Sequence, residues 1–167
     1  MKQPKPPKCS SCREVFRPRN SLQIACSPRC ALAVARKKRS KADKQRLKDG
    51  DRSYWLQKAQ KSFNAWIRAR DADKPCISCG RHHGGQYHAG HYRPAGVNSA
   101  LRFEPRNVHK QCSVCNNHKS GNLTAYRASI VKLYGEDVAQ WLDNNHDVRR
   151  WTIDELKAID ADYRQRL

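Results

Sequence analysis

All eight cysteines of this chain fall into two quartets, and nothing else in the sequence restricts its folding as strongly. Cys9, Cys12, Cys26 and Cys30 form the first; Cys76, Cys79, Cys112 and Cys115 form the second. Each joins a Cys-x2-Cys pair to a second close pair, the spacing of a structural zinc site whose four thiolates close the ion off from solvent. The metal matters because the chain has little else to fold around. It has 167 residues, 38% of them hydrophobic, and a mean hydropathy of −0.96. Zinc ligation supplies folding free energy directly, about 10 kcal/mol or more per structural site. The expected class is therefore α+β, small and zinc-stabilised, with two structural Zn2+ ions.

Charge selects the partner. Lys and Arg number 34 against 15 Asp and Glu, a net +19. So basic a chain is expected to bind a polyanion, and nucleic acid is the default. No stretch approaches the ~20 apolar residues of a membrane span. No apolar segment follows the opening Met-Lys-Gln-Pro-Lys-Pro-Pro, so the reading is a cytoplasmic chain whose reduced cysteines hold metal rather than disulfides.

Four segments emerge along the chain. Residues 1–35 form an N-terminal zinc module. Residues 1–8 of it are Pro/Lys-rich and read as disordered or extended; a cysteine knuckle, a hairpin around Phe16, Leu22 and Ile24, and a helix follow. Ser27 and Pro28 suit the N-cap and first helical position, so the first helical turn supplies the last ligands, an arrangement resembling a treble clef. Residues 36–74 form a basic and aromatic helical linker. Arg36, Lys37, Lys38 and Arg39 offer phosphate contacts, and Gly50 breaks the first helix. A second helix over 52–70 places Tyr54, Trp55, Leu56, Ala59, Phe63, Trp66 and Ile67 on one stripe, as core rather than as a base-stacking platform. Residues 75–122 hold the second quartet. Residues 123–167 form C-terminal helices: 123–134 stopped by Gly135, a short one at 138–142, and a last one opened by the capping box Thr152-Ile-Asp-Glu155. These are expected to pack on the second zinc module.

The second quartet differs from the first in what it encloses. His88-Ala-Gly-His91 reads as a strand, Leu101–His109 as a returning strand and turn carrying Asn107, and Asn116 and His118 open a helix directly after Cys115. A hairpin plus a helix would bring His91, Asn107 and Asn116 to one small surface. His82 and His83 beside Gly84-Gly85 read as solvent-facing, His109 as support for the hairpin, and His146 has no motif around it.

The spacing His-x15-Asn-x8-Asn within Cys-x2-Cys…Cys-x2-Cys-Asn-x-His-Lys resembles the HNH endonuclease family, which implies a ββα-metal fold; Asn116 stands where many members carry a third histidine. More closely, Cys76-x2-Cys79-Gly80, His88-Ala-Gly-His91-Tyr92-Arg93, Leu101-Arg-Phe-Glu104-x-Arg-Asn107-Val-His109-x-Gln-Cys112 and Cys115-Asn-x-His118-x-Ser-Gly-Asn122 resemble the NinG (Rap) family of phage recombination proteins. That resemblance covers most of the chain. It implies a structure-specific endonuclease acting on branched recombination intermediates such as Holliday junctions and D-loops, in the host cytoplasm if phage-encoded. Where that family commonly has Asp, this chain has His88; either side chain can bind a metal.

Phosphodiester hydrolysis needs an activated water, a stabilised pentacovalent charge and help for the leaving oxygen. In the scheme expected here His91 is the general base and Asn107 orients the loop or the histidine. His88, Asn116 and His118 hold a catalytic Mg2+ or Mn2+, separate from the saturated zinc. Arg93 and Lys119 contact phosphate. A homodimer and other recombination proteins are candidate partners, and no membrane is. The alternative is a non-catalytic zinc-finger protein that binds DNA as an accessory factor, for which the His88/His91/Asn107/Asn116 set would have no use.

Overall fold

The computed structural model describes residues 6–167, so most of the stretch read as disordered or extended over residues 1–8 lies outside the described residues. Contacts divide the chain into two units, Met1–Gly50 and Asp51–Leu167, a coarser division than the four segments read from the sequence.

In the first unit the Cys9–Cys12 turn closes with Arg13 N donating to Cys9 O at 3.0 Å, and Arg13 takes a left-handed φ of 68°. Where a hairpin was expected, the strand pairing reduces to a single antiparallel bridge, Lys8 with Val15. The segment beyond it cannot extend a ladder. Pro18 has no N–H to give, and Asn20 Oδ1 accepts from Leu22 N at 3.1 Å to form a local turn. Helix α1 (Pro28–Asp49) then starts as anticipated: Ser27 Oγ accepts from Cys30 N at 3.2 Å, Pro28 sits in the first turn, and Gly50 caps the end. It buries no residue.

The second unit is built on α2 (Arg52–Arg70), capped by Asp51, whose carboxylate accepts from Ser53 N at 2.7 Å. Its apolar stripe is core. Ala59, Phe63 and Ile67 are buried with Phe103, Val108, Leu156 and Tyr163. A two-stranded antiparallel hairpin, β1 (Tyr87–His91) and β2 (Val108–Cys112), runs in register from Tyr87 opposite Cys112 to His91 opposite Val108. Side chains alternate across a strand, so Ala89, His91 and Val108 share one face, with Ala89 and Val108 packed on the α2 core. His88, Gly90, His109 and Gln111 share the other. There α3 (Leu123–Tyr134) and α4 (Glu136–Asn144) form a second core of Tyr92, Leu101, Tyr126, Ile130, Ala139 and Leu142. The buried carboxylate of Asp71 ties the end of α2 to β2 by accepting from Lys110 N at 3.1 Å.

Three sequence expectations change. Residues Ser99–Phe103 form a 3₁₀ turn, not a returning strand. Leu101 and Phe103 are both buried but enter different cores, which a helical turn permits. Asn116 and His118 lie in a single π-helical turn, Val114–His118, rather than opening a helix. Ser120, Gly121 and Asn122 all take positive φ (47°, 88° and 45°) and break the chain before α3. The C-terminal helices also divide: α3 meets the second quartet, where Ser129 Oγ donates to Ile77 O at 2.7 Å, whereas α5 (Ile153–Gln165) packs on α2, with the Phe63 and Tyr163 rings 4.9 Å apart. No helix of the described residues is long and apolar enough to cross a membrane.

Candidate active site and metal centres

Each cysteine quartet closes into a cluster. Among the described residues these are the only groups of three or more His, Cys, Asp or Glu whose ligand atoms lie within 4.8 Å of one another. No cysteine is in a disulfide. Cys26 Sγ lies 3.6 Å from the Sγ of Cys12 and 3.6 Å from that of Cys30. A disulfide needs about 2.05 Å, whereas thiolates at the corners of a tetrahedron with metal–sulfur bonds of about 2.3 Å stand roughly 3.8 Å apart. Backbone N–H groups serve the sulfurs: Cys26 N donates to Cys9 Sγ at 3.4 Å and Cys112 N to Cys76 Sγ at 3.3 Å. The two knuckles match, with Gly80 (φ 66°) where the first has Arg13. The N–H groups of Cys12 and Cys26 hold the Cys9 thiol down at about 6. Burial pushes Cys76 up, but the N–H groups of Cys112, Cys79 and Ser78 outweigh it and leave the thiol at about 7. The neighbouring thiols push Cys26 up to about 12, and burial followed by Cys112 does the same to Cys115. Four crowded thiols cannot all ionise unaided, and a dication supplies the missing charge. Both quartets thus fit a structural zinc ion.

Between the strands of the second unit, Asn107 is fully buried. Its Oδ1 accepts from Arg93 N at 2.8 Å, and its Nδ2 donates to the carbonyls of Arg93 and Leu101 at 3.0 and 3.1 Å. Its buried amide is spent on pinning the loop that leaves β1, so it presents nothing to a substrate.

His91 closes β1. Its Nε2 lies 3.0 Å from Arg102 O. A carbonyl only accepts, so Nε2 carries the proton and Nδ1 keeps its lone pair. Burial, with the nearby Arg102 charge, pushes the imidazole pKa below its ordinary 6.5, and the Arg102 carbonyl only partly opposes this. His91 lines an open cavity of about 400 Å³ with Tyr92, Pro94, Asn116 and Ser120. The structure therefore brings His91 and Asn116 together. His88 and His118 do not line this cavity; alternation turns His88 to the opposite face of β1, and His118 is exposed. Arg93 is half-buried with an unpartnered Nε, while Lys119 and the α1 residues Arg36, Lys37, Lys38 and Arg39 are exposed.

The sequence reading missed Gln111 and Gly90. A Cβ built on Gly90 would collide with Gln111 Oε1 and stand 3.0 Å from Asn116 Oδ1. Two amide oxygens thus converge on the volume that only glycine leaves open. Their orientation is fixed by their nitrogens. Gln111 Nε2 donates to Ser78 Oγ at 2.6 Å and to Gly121 O at 2.5 Å, and Asn116 Nδ2 to Asn117 Oδ1 at 2.6 Å. Gln111 Oε1 is buried without a partner, and so is Nε2 of His88, directly opposite Gln111 in the ladder. Unpartnered buried acceptors are costly, and oxygen-rich ligands suit Mg2+ or Mn2+. This face fits a cation held by Asn116, Gln111 and His88, with His118 outside it. Only the β2 register reveals Gln111; no spacing in the sequence points to it.

The remaining histidines have other surroundings. His109 is buried between Tyr126 and Tyr134. Tyr126 donates its hydroxyl hydrogen to Gly90 O at 2.8 Å, so it accepts from His109 Nδ1 at 3.2 Å, while Tyr134 donates to His109 Nε2 at 2.9 Å. His82, His83 and His146 are exposed, and His83 Nε2 lies 3.2 Å from Cys79 Sγ.

The family described as "Bacteriophage Lambda NinG protein" matches residues 35–167. The chain belongs to the NinG family. It is 42% identical to Protein ninG of Escherichia phage lambda, over 96% of this chain and 90% of that protein. It is 42% identical to Protein ninG of Salmonella phage P22 over the same shares, and 41% to that of Escherichia phage 933W over 100% of this chain and 94% of the relative. No solved structure matches. The match to the NinG family takes in α2, the hairpin, the second quartet and α1 from residue 35 onward, and leaves out the first quartet and the first turns of α1.

Proposed function

We propose that this NinG-family chain is an HNH-type endonuclease that cuts branched DNA in phage recombination, with residues 75–122 acting as a ββα-metal module and the first quartet as a treble-clef-like grip. The observation that carries the reading is His91: a neutral imidazole on a cavity wall, its Nε2 proton committed to Arg102 O and its Nδ1 free, beside Asn116. In the mechanism, His91 Nδ1 takes a proton from the water that attacks phosphorus. Asn107 keeps the loop after β1 closed so that the imidazole stays aimed. A divalent cation beside Gly90 would be held by Gln111, His88 and Asn116, and Asn116, which also lines the His91 cavity, would join it to the reacting phosphate, where it would supply charge stabilisation for the phosphorane and the departing 3′ oxygen. The basic residues of α1, with Arg93 and Lys119, contact phosphates. A homodimer and other recombination proteins are proposed partners, and the host cytoplasm the proposed location.

The test incubates the purified chain with labelled junction, D-loop and linear DNA, with Mg2+, Mn2+ or a chelator. Cleavage should need the cation, and His91→Ala should bind junctions yet cut at least about 10²-fold more slowly. The rate should fall on acidification as His91 takes its proton, with that limb below pH 6.5. A wild-type chain that binds junctions under every divalent cation and never cuts them is the accessory DNA-binding protein instead.

A further inference from the structure

Arg52, Arg102, Arg149 and Arg150 line one hollow of about 240 Å³, with Ser99 and Trp151 beside them and no carboxylate among its lining residues. Arg102 also lines a second hollow of about 420 Å³ along α2, with Lys61 and Arg68. The walls of the first are fixed. Ser99 Oγ donates to Arg149 O at 3.0 Å and accepts from Arg149 N at 2.7 Å. Trp151 Nε1 donates to Ser99 O at 3.0 Å, and Ala100 N to Asp147 O at 3.3 Å. Residues 147–151 are thus strapped onto the 3₁₀ turn, opposite the start of α2.

The electrostatics of this hollow are unbalanced. Arg149 has a carboxylate partner, Glu155, at 2.6 Å. Arg102 has only neutral ones, Gln60 Oε1 and Ala95 O, both at 3.1 Å, and its Nε is buried with no partner. Burial and the charge of Arg52 together push the Arg102 pKa down. Arg149 apart, the guanidinium groups lining this hollow have no carboxylate partner among the described residues, which makes them complementary to an anion, and their forked donors match the oxygens of a phosphate. Arg102 also links this hollow to the candidate base, because its carbonyl receives the His91 Nε2 proton.

We propose that the hollow between Arg52, Arg102, Arg149 and Arg150 is a phosphate subsite that seats a backbone phosphodiester of the nucleic acid presented to His91. The proposal rests on the nuclease reading, and its test separates the two. Arg52 and Arg150 are exposed, so Arg52→Gln and Arg150→Gln spare the fold. Both are made in the full chain carrying His91→Ala, which keeps bound DNA intact. Junction affinity is then measured from low to high salt. The double variant, which loses the one seated phosphate, should flatten the log–log salt slope by about 0.9, and each single variant by up to that amount. Lys132→Gln, exposed on α3 and outside both hollows, is the reference surface charge. Arg52→Gln relieves the push on Arg102, so its Tm should hold or rise while its affinity falls, which a merely structural arginine would not do. Normal binding with a double-variant slope equal to that of Lys132→Gln overturns the subsite alone. A parent chain that binds no DNA at all overturns the subsite and the nuclease reading together.

Discussion

A histidine buried between two tyrosines is neutral in the folded chain and cationic in the unfolded one at mildly acid pH. Burial, with Arg70 nearby, pushes His109 down to about 4 from its ordinary 6.5. Above pH 6.5 neither state binds the proton, and stability is unaffected. Between 6.5 and about 4 only the unfolded state binds it, so stability falls with pH; below about 4 both states are protonated and the loss levels off. The full loss is about 3 kcal/mol. Urea unfolding at pH 7 and pH 4.5 should show most of it in the wild type and much less in His109→Gln. Equal acid sensitivity in both chains would remove His109 from the account. At this scale the sequence was partly legible. The quartets and His91 announce themselves by spacing, and Asn107 by its place in a motif. Gln111 and Gly90 do not, because what joins them to Asn116 is a strand register and a missing Cβ.

Elements were read best where capping chemistry and periodicity agree. Ser27-Pro28, Gly50, Gly135 and the Thr152–Glu155 box mark real helix ends, because unsatisfied terminal N–H and C=O groups select such residues locally. The 3₁₀ turn over Ser99–Phe103 was read as a strand because a short apolar alternation, Leu101 then Phe103, does not distinguish a strand from a turn that feeds two cores. His88 and His91 were read together because adjacency in sequence hides the period-2 flip of a strand. How the helices pair was also beyond the sequence: α5 docks on α2 through Asp160, buried and accepting from Ser62 Oγ at 2.5 Å with Lys58 Nζ at 3.3 Å. Asp160→Ala strands the buried Ser62 hydroxyl, while the part-exposed Lys58 ammonium returns to water, and should cost about 1–3 kcal/mol. In a Ser62→Ala background the same change should cost less, since the stranded donor is gone. A double-mutant cycle by denaturant unfolding checks this, and strict additivity would mean the bond contributes nothing.

At the scale of the whole molecule, the two quartets stabilise different units and should fail separately. The first closes within Met1–Gly50, where α1 buries nothing and the metal cluster is the main source of order. The second draws on both ends of the hairpin module: Cys112 is the last residue of β2, Cys115 lies in the π turn that carries Asn116, and Cys76 precedes β1. Gln111 adjoins Cys112, and Asn116 adjoins Cys115, so this cluster sets the positions of the amide oxygens it does not itself use. A structural zinc contributes about 10 kcal/mol, comparable to the whole stability of a domain this size, about 5–15 kcal/mol. Cys112→Ser should therefore abolish the cooperative transition of Asp51–Leu167 and any cleavage, with His91 chemically intact. Cys26→Ser should leave that transition in place and weaken DNA binding, because only the unit bearing the basic helix loses its staple. Calorimetry with metal analysis of each variant distinguishes these outcomes. One transition lost in both variants would show that the units fold as one, and that the first quartet is as necessary to the His91 site as the second.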